Sequence, residues 1–103
     1  MAAIDFDYLE SFAAGDMQVV TEVLALFQEQ AQGWRPRLVS PDDGFRDLVH
    51  TIKGASRGIG ANALGDLADR AERGDASMAG EVLSALDAAL ADIEGYLTRI
   101  GGG

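Results

Sequence analysis

His50 and Lys53 are the sole histidine and the sole lysine of the chain, and they stand three residues apart in the stretch HTIKGASRGIG. Arg46 lies one helical turn before His50, and Gly54 and Arg57 lie one and two turns after it on the same side. On a wheel of about 100° per residue, Phe45, Leu48, Val49, Ile52 and Ile59 gather within about 60° of Phe45, while Lys53, Arg46, Arg57, His50 and Gly54 fall between about 80° and 180°. The imidazole is therefore expected to face solvent among cations. Three of the chain's eight positive side chains share this one face, in a protein of net charge −9. Gly54 and Gly58 each cost a helix interior up to about 1 kcal/mol relative to alanine. What they provide is bare surface, on which another backbone or a bulky group can approach closely.

This arrangement suits phosphoryl transfer through the imidazole. A neutral ring nitrogen is a good nucleophile near neutral pH. The transferred group carries spreading negative charge, which Lys53 and Arg57 are placed to stabilise. Taken singly, each feature has a plain reading: a surface histidine, a solvated cationic face, a glycine pair that seats a neighbouring helix. It is the combination that argues for chemistry. Other chemistries fit less well. No second histidine or cysteine is present to complete a metal site. GASRGIG lacks the Lys-Ser/Thr ending of a phosphate-binding loop and follows a helix. Ser56 falls on the core side of the wheel, which argues against a Ser–His nucleophilic pair.

The elements that must hold this face are all helical by pattern. A short first helix is expected from about Asp5 or Asp7 to Ala14, ended by Gly15. Asp16 is a good N-cap for a second helix, with Val20, Val23, Leu24, Phe27, Ala31, Trp34 and Leu38 at spacings of three and four. Pro36 should kink it or fray its last turn. SPDDG reads as a turn, with Pro41 near the start of the third helix, and Gly60 ends that helix. Asn62 is expected to cap a fourth helix striped by Leu64, Leu67, Ala68 and Ala71 and stopped by Gly74. Ser77 is expected to cap a fifth, whose seam is Leu83, Leu86, Leu90, Ile93, Leu97 and Ile100. No stretch shows period-two alternation. The fold expected is all-α: an antiparallel up-down four-helix bundle with the short N-terminal helix covering one end. The 103 residues suffice for one domain, with a core over about 5–100 and a flexible glycine tail at 101–103.

Composition narrows the function classes. The chain is 48% hydrophobic, enough for a modest core. It has no apolar run that could span a bilayer, and its start, MAAIDFDYLE, lacks the basic and apolar regions of a secretory signal. The absence of cysteine excludes a disulfide framework and a thiol nucleophile and fits a cytoplasmic setting. The acidic balance argues against nucleic acid and anionic membrane as partners.

His50, Lys53, Gly54, Ser56, Gly60, Leu64, Leu67 and Glu72 together resemble the signature of the histidine-containing phosphotransfer (HPt) family. That signature is His-x-x-Lys-Gly, a glycine about ten residues after the histidine, and a leucine-rich helix ending near an acidic or amide residue. The upstream segment GDMQVVTEVLALFQEQ is also similar to the family's, so the resemblance runs from about Tyr8 to Leu97. It implies that His50 is phosphorylated on a ring nitrogen and that Lys53 holds the phosphoryl oxygens. It implies that Glu72 accepts a hydrogen bond from the other ring nitrogen and orients the imidazole. Gly54 would leave room for a response-regulator receiver domain, with Arg46, Arg57 and Gly58 on the same docking face. The implied partners are receiver domains and a sensor or hybrid histidine kinase. The implied role is that of a cytoplasmic, monomeric shuttle of phosphoryl groups between receiver aspartates. No cofactor or metal would be bound by this chain, the Mg²⁺ being supplied by the partner receiver. No kinase or ATPase activity of its own is expected. Three alternatives remain open: a phosphotransfer domain cut from a larger chemotaxis-type or hybrid kinase, a helical module that docks receivers without carrying phosphate, and a basic face that binds a phosphorylated ligand non-covalently.

Overall fold

In the computed structural model, which describes residues 3–101, five helices follow one another: α1 (Phe6–Phe12), α2 (Met17–Val39), α3 (Phe45–Gly58), α4 (Asn62–Arg73) and α5 (Ala79–Gly101). The four longer ones form a ring in which α2 touches α3 and α5, and α4 touches α3 and α5. Successive helices are joined by short turns and run antiparallel, so the starts of α2 and α4 and the ends of α3 and α5 share one end of the bundle. The short helix α1 covers that end. The Asp5 amide donates to the Gly60 carbonyl at 3.0 Å, the Phe6 ring stacks on Tyr96 of α5 with centroids 4.2 Å apart, and the Tyr96 hydroxyl donates to Glu10 at 2.7 Å. Gly60 sits at φ +82°, and a Cβ there would lie 2.9 Å from the Asp5 carbonyl oxygen. The turn between α3 and α4 therefore requires glycine both for its left-handed backbone and for the close passage of the N-terminal strand of chain.

Most helix signals act as the sequence implies. Asp5 caps α1 by accepting from the Tyr8 amide, and Asp16 caps α2 by accepting from Gln18 and Val19. Gly74 closes α4. Buried on α2 are Val20, Leu24, Phe27, Ala31, Trp34 and Leu38, with Val23 half-buried beside them. On α3, Phe45, Leu48, Val49 and Ile52 point inward.

Several local expectations differ from what is observed. The second helix continues through Pro36 to Val39, and the Ser40 amide reaches the Pro36 carbonyl at 3.1 Å. Proline removes one donor, but Trp34 and Leu38 are buried on either side of it and hold the last turn in place. Pro41 lies in the turn ahead of α3, whose N-cap is Gly44. Asn62 is the first residue of α4 rather than its cap, which is Ala61. Ser77 does not cap α5. It belongs to a 3-10 turn, Ala76–Met78, capped by the Asp75 carboxylate through the Ser77 amide at 2.9 Å. The buried line of α5 is Ala79, Val82, Leu86, Ala89, Ile93 and Tyr96. Leu83, Leu90 and Leu97 flank it half-buried, and Ile100 is 40% exposed. The two candidate stripes share Leu86 and Ile93, so the helical period alone does not separate them. Contact with α2 on one side and α4 on the other centres the seam on the small Ala89 and leaves the leucines to seal its edges. Gly101 is the last residue of α5, so the helix enters the glycine tail; the rest of that tail lies outside the described residues. No helix of the described residues is long and apolar enough to cross a membrane.

Candidate phosphoryl-accepting site

The site is built on the α3–α4 hairpin. Three residues separate these helices, and their antiparallel register brings His50 opposite Glu72, Lys53 opposite Asp69, and Arg57 opposite Gly65 and Asp66. Arg57 lays its aliphatic stem over Gly65, where a Cβ would meet its Cγ at 2.9 Å. The small residue on α4 is thus what lets the arginine lie flat across the helix pair.

The His50 side chain is 65% exposed, on the outer face as the wheel predicts. Its Nδ1 lies 2.6 Å from Glu72 Oε2. The other oxygen of that carboxylate, Oε1, accepts from Lys53 Nζ at 2.5 Å. The Lys53 hydrogen bond, with that of His50 adding to it, holds the Glu72 carboxyl below its usual range despite partial desolvation. It is therefore ionised at neutral pH and can only accept. Nδ1 consequently carries the hydrogen, and the lone pair of the neutral ring sits on Nε2.

Lys53 is itself only 20% exposed and makes a second, longer contact to Asp69 Oδ1 at 3.4 Å. The Glu72 hydrogen bond outweighs the cost of burial and keeps the ammonium pKa above its ordinary value. Asp69 in turn receives Arg73 Nη2 at 2.9 Å on its other oxygen. A continuous chain of charge thus runs from Arg73 through Asp69, Lys53 and Glu72 to the imidazole. Arg57 pairs only at 3.4 Å with the well-exposed Asp66. Arg46 is exposed one turn before His50.

Gly54 and Gly58 continue the His50 strip, and a Cβ at either would have nothing within 4 Å. Neither seats a neighbouring helix; both leave open surface. Beyond Gly58 the surface deepens into an apolar groove between α2 and α3, with Ala55, Gly58 and Ile59 along α3 and Phe12, Val23 and Leu26 opposite. Phe12 is 73% and Leu26 54% exposed. Ser56 is fully buried and its hydroxyl meets no hydrogen-bond partner among the described residues, so it is not available to His50. Among the described residues no group of three or more His, Cys, Asp or Glu side chains is arranged to hold a metal ion.

Sequence reasoning assembled His50, Lys53, Glu72 and the glycines but missed Asp69, Arg73 and the apolar groove. Asp69 stands three residues before Glu72, which puts both carboxylates on one face of α4. Leu26 lies off the apolar stripe of α2, which marks it as an exposed hydrophobe.

The Hpt domain model matches residues 18–96. Among solved structures, the chain is similar to the crystal structure of the histidine phosphotransferase ShpA from Caulobacter crescentus, at 51% identity and a TM-score of 0.86, over 97% of this chain and 95% of that one. None of the curated proteins matches. The outward imidazole on the α3–α4 hairpin thus lies within a family match that spans most of the chain, and the chain belongs to the Hpt domain family.

Proposed function

We propose that the protein is a phosphorelay histidine phosphotransfer protein that accepts a phosphoryl group on His50 Nε2 and passes it to a receiver-domain aspartate. The observation that carries this reading is the Nδ1–Glu72 hydrogen bond, which leaves the nucleophilic lone pair on Nε2 of a largely exposed ring. In the step, Nε2 forms a bond to phosphorus as the bond from phosphorus to the receiver's aspartyl oxygen breaks, and the electron pair leaves on that carboxylate. The ring gains positive charge as the N–P bond forms. The Nδ1–H keeps donating to the ionised Glu72 carboxylate, which stabilises that charge without a proton having to leave. Lys53, whose ammonium has three N–H donors, can turn one of them to a phosphoryl oxygen.

Gly54 and Gly58 supply clearance for the partner, Arg46 and Arg57 supply charge at the rim, and the apolar groove beside them supplies surface for a receiver domain to bury. Magnesium would be held by the receiver. We assign the protein to the cytoplasm as a monomeric phosphoprotein, with receivers and a sensor or hybrid kinase as its partners. The test is incubation with a phosphorylated receiver domain and Mg²⁺. A labelled band, stable in alkali, labile in acid and absent from His50→Ala, supports the proposal. Stable binding of the receiver with no transfer would make the protein a docking module instead.

A further inference from the structure

Resting on the function proposed above, we infer that Asp69 is a positioning residue that sets how strongly phospho-His50 donates its phosphoryl group, by holding two neighbouring cations back from it. One carboxylate engages both of them. Asp69 Oδ1 faces Lys53 Nζ at 3.4 Å, and Oδ2 accepts from Arg73 at 2.9 Å. Asp69 makes no contact with the imidazole, so its influence passes through those two side chains. Glu72 cannot serve the same purpose, because its second oxygen is taken by the ring.

The ammonium and the ring share the Glu72 carboxylate, so they stand no farther apart than two hydrogen bonds and the width of that group. On this inference, a phosphoryl group on Nε2, the ring nitrogen that does not face Glu72, draws Lys53 towards itself at the expense of the long contact to Asp69. Arg73 is 70% exposed and, among the described residues, held by Asp69 alone. Partial burial would raise the Asp69 carboxyl, yet Arg73, then Lys53 and Arg57, bring it below its ordinary value; it is a full negative charge at neutral pH. That charge disfavours the phosphorylated state twice, by restraining the cations and by repelling the phosphoryl oxygens. A relay intermediate needs such a bias, since a phosphohistidine gripped too well by its own cations would not pass its group on.

The experiment uses the full chain with phosphoramidate and excess ammonium chloride, the labelled fraction being followed to a constant value from both directions. The reaction exchanges one N–P bond for another: phosphoramidate loses its phosphoryl group to His50 and departs as ammonia. Asp69→Asn should shift this equilibrium towards phospho-His50 by about twofold or more, the effect of one unit charge about 10 Å away in water-like surroundings. Asp69→Glu should return it to near the wild-type value. Arg73→Ala removes a cation and leaves Asp69 to pull on Lys53 alone, so it should shift the equilibrium the opposite way.

A merely structural role would slow labelling and delabelling alike and leave the equilibrium constant unmoved; that result, or shifts of the same sign in Asp69→Asn and Arg73→Ala, overturns the inference. Should Asp69→Asn unfold, Asp69→Ser, which also removes the charge at this part-exposed position, carries the same test. A wild-type protein that is labelled while the variants match it refutes the role of Asp69 alone. A wild type labelled by neither phosphoramidate nor a receiver refutes the proposed function, and the role of Asp69 with it.

Discussion

Gly54 offers the sharpest separation between stability and access. It lies inside α3, its backbone is not in the left-handed region, and a Cβ there meets nothing within 4 Å. Alanine or glutamine should therefore enter without strain and recover most of the helix propensity that glycine forfeits, about 0.8–1 kcal/mol. With an unfolding entropy of about 2.1 cal/mol/K per residue, a domain of this length should gain about 4 °C in Tm. The functional consequence differs between the two substitutions. A helical side chain leans towards the N-terminus, so glutamine at 54 projects over the turn that carries His50. Gly54→Gln should melt higher than wild type, label normally with phosphoramidate, and accept poorly from a phosphorylated receiver. Gly95→Gln on α5 is the control: its Cβ is equally unobstructed, so it should stabilise without affecting transfer. Thermal unfolding, small-donor labelling and single-turnover transfer on the same samples complete the assay. Wild-type transfer from the receiver by Gly54→Gln would show that the glycine is not there for clearance. A lowered Tm would refute the open space assigned to it.

His50→Gln should abolish labelling while moving stability by under about 0.5 kcal/mol, as expected of an exposed position; unfolding of this variant would contradict the outward imidazole. Lys53→Ala should slow transfer on the order of a hundredfold, as loss of a single electrostatic stabiliser does, with a smaller effect on receiver affinity. Titration and single-turnover kinetics separate the two, and weakened binding with an unchanged saturated rate would assign Lys53 to docking. The folded state holds the Glu72 carboxyl below its usual value, so between the folded and unfolded values the unfolded chain binds more protons. The stability contributed by Glu72 is therefore complete above the ordinary glutamate pKa of about 4.3 and is lost as pH falls through the lower, folded value. The difference in Tm between wild type and Glu72→Gln should shrink on acidification; a difference that grows would reverse the sign of the coupling.

The face proposed to carry the chemistry was legible from residue types alone because it depends on one helix. The 3.6-residue period puts Phe45, Leu48, Val49 and Ile52 inside, and this leaves His50 and Gly54 outside whatever α3 packs against. The all-helical class, the Asp16 cap and the glycine stops at 60 and 74 are local in the same sense. What the period could not decide was any choice between two apolar lines on one helix. The seam of α5 follows Val82 and Ala89 rather than Leu83 and Leu90 because two neighbouring helices compete for its sides. Caps that depend on the path of the incoming chain, as at Asn62 and Ser77, were misplaced for a similar reason.

The electrostatic setting of His50 was decided by tertiary structure. Glu72 and Asp69 lie 22 and 19 residues along the chain from His50, and nothing in their spacing says which of them meets the ring. The three-residue turn at Gly60, closed over by Asp5, sets the register of α4 against α3. That register alone gives Glu72 to both His50 and Lys53, and Asp69 to Lys53 and Arg73. The sequence by itself determined which side chain could carry a phosphoryl group. The packing of two helices determined which ring nitrogen Glu72 engages and which cations are held beside it, because hydrogen bonds and ion pairs depend on distances of a few ångströms that only the folded chain defines.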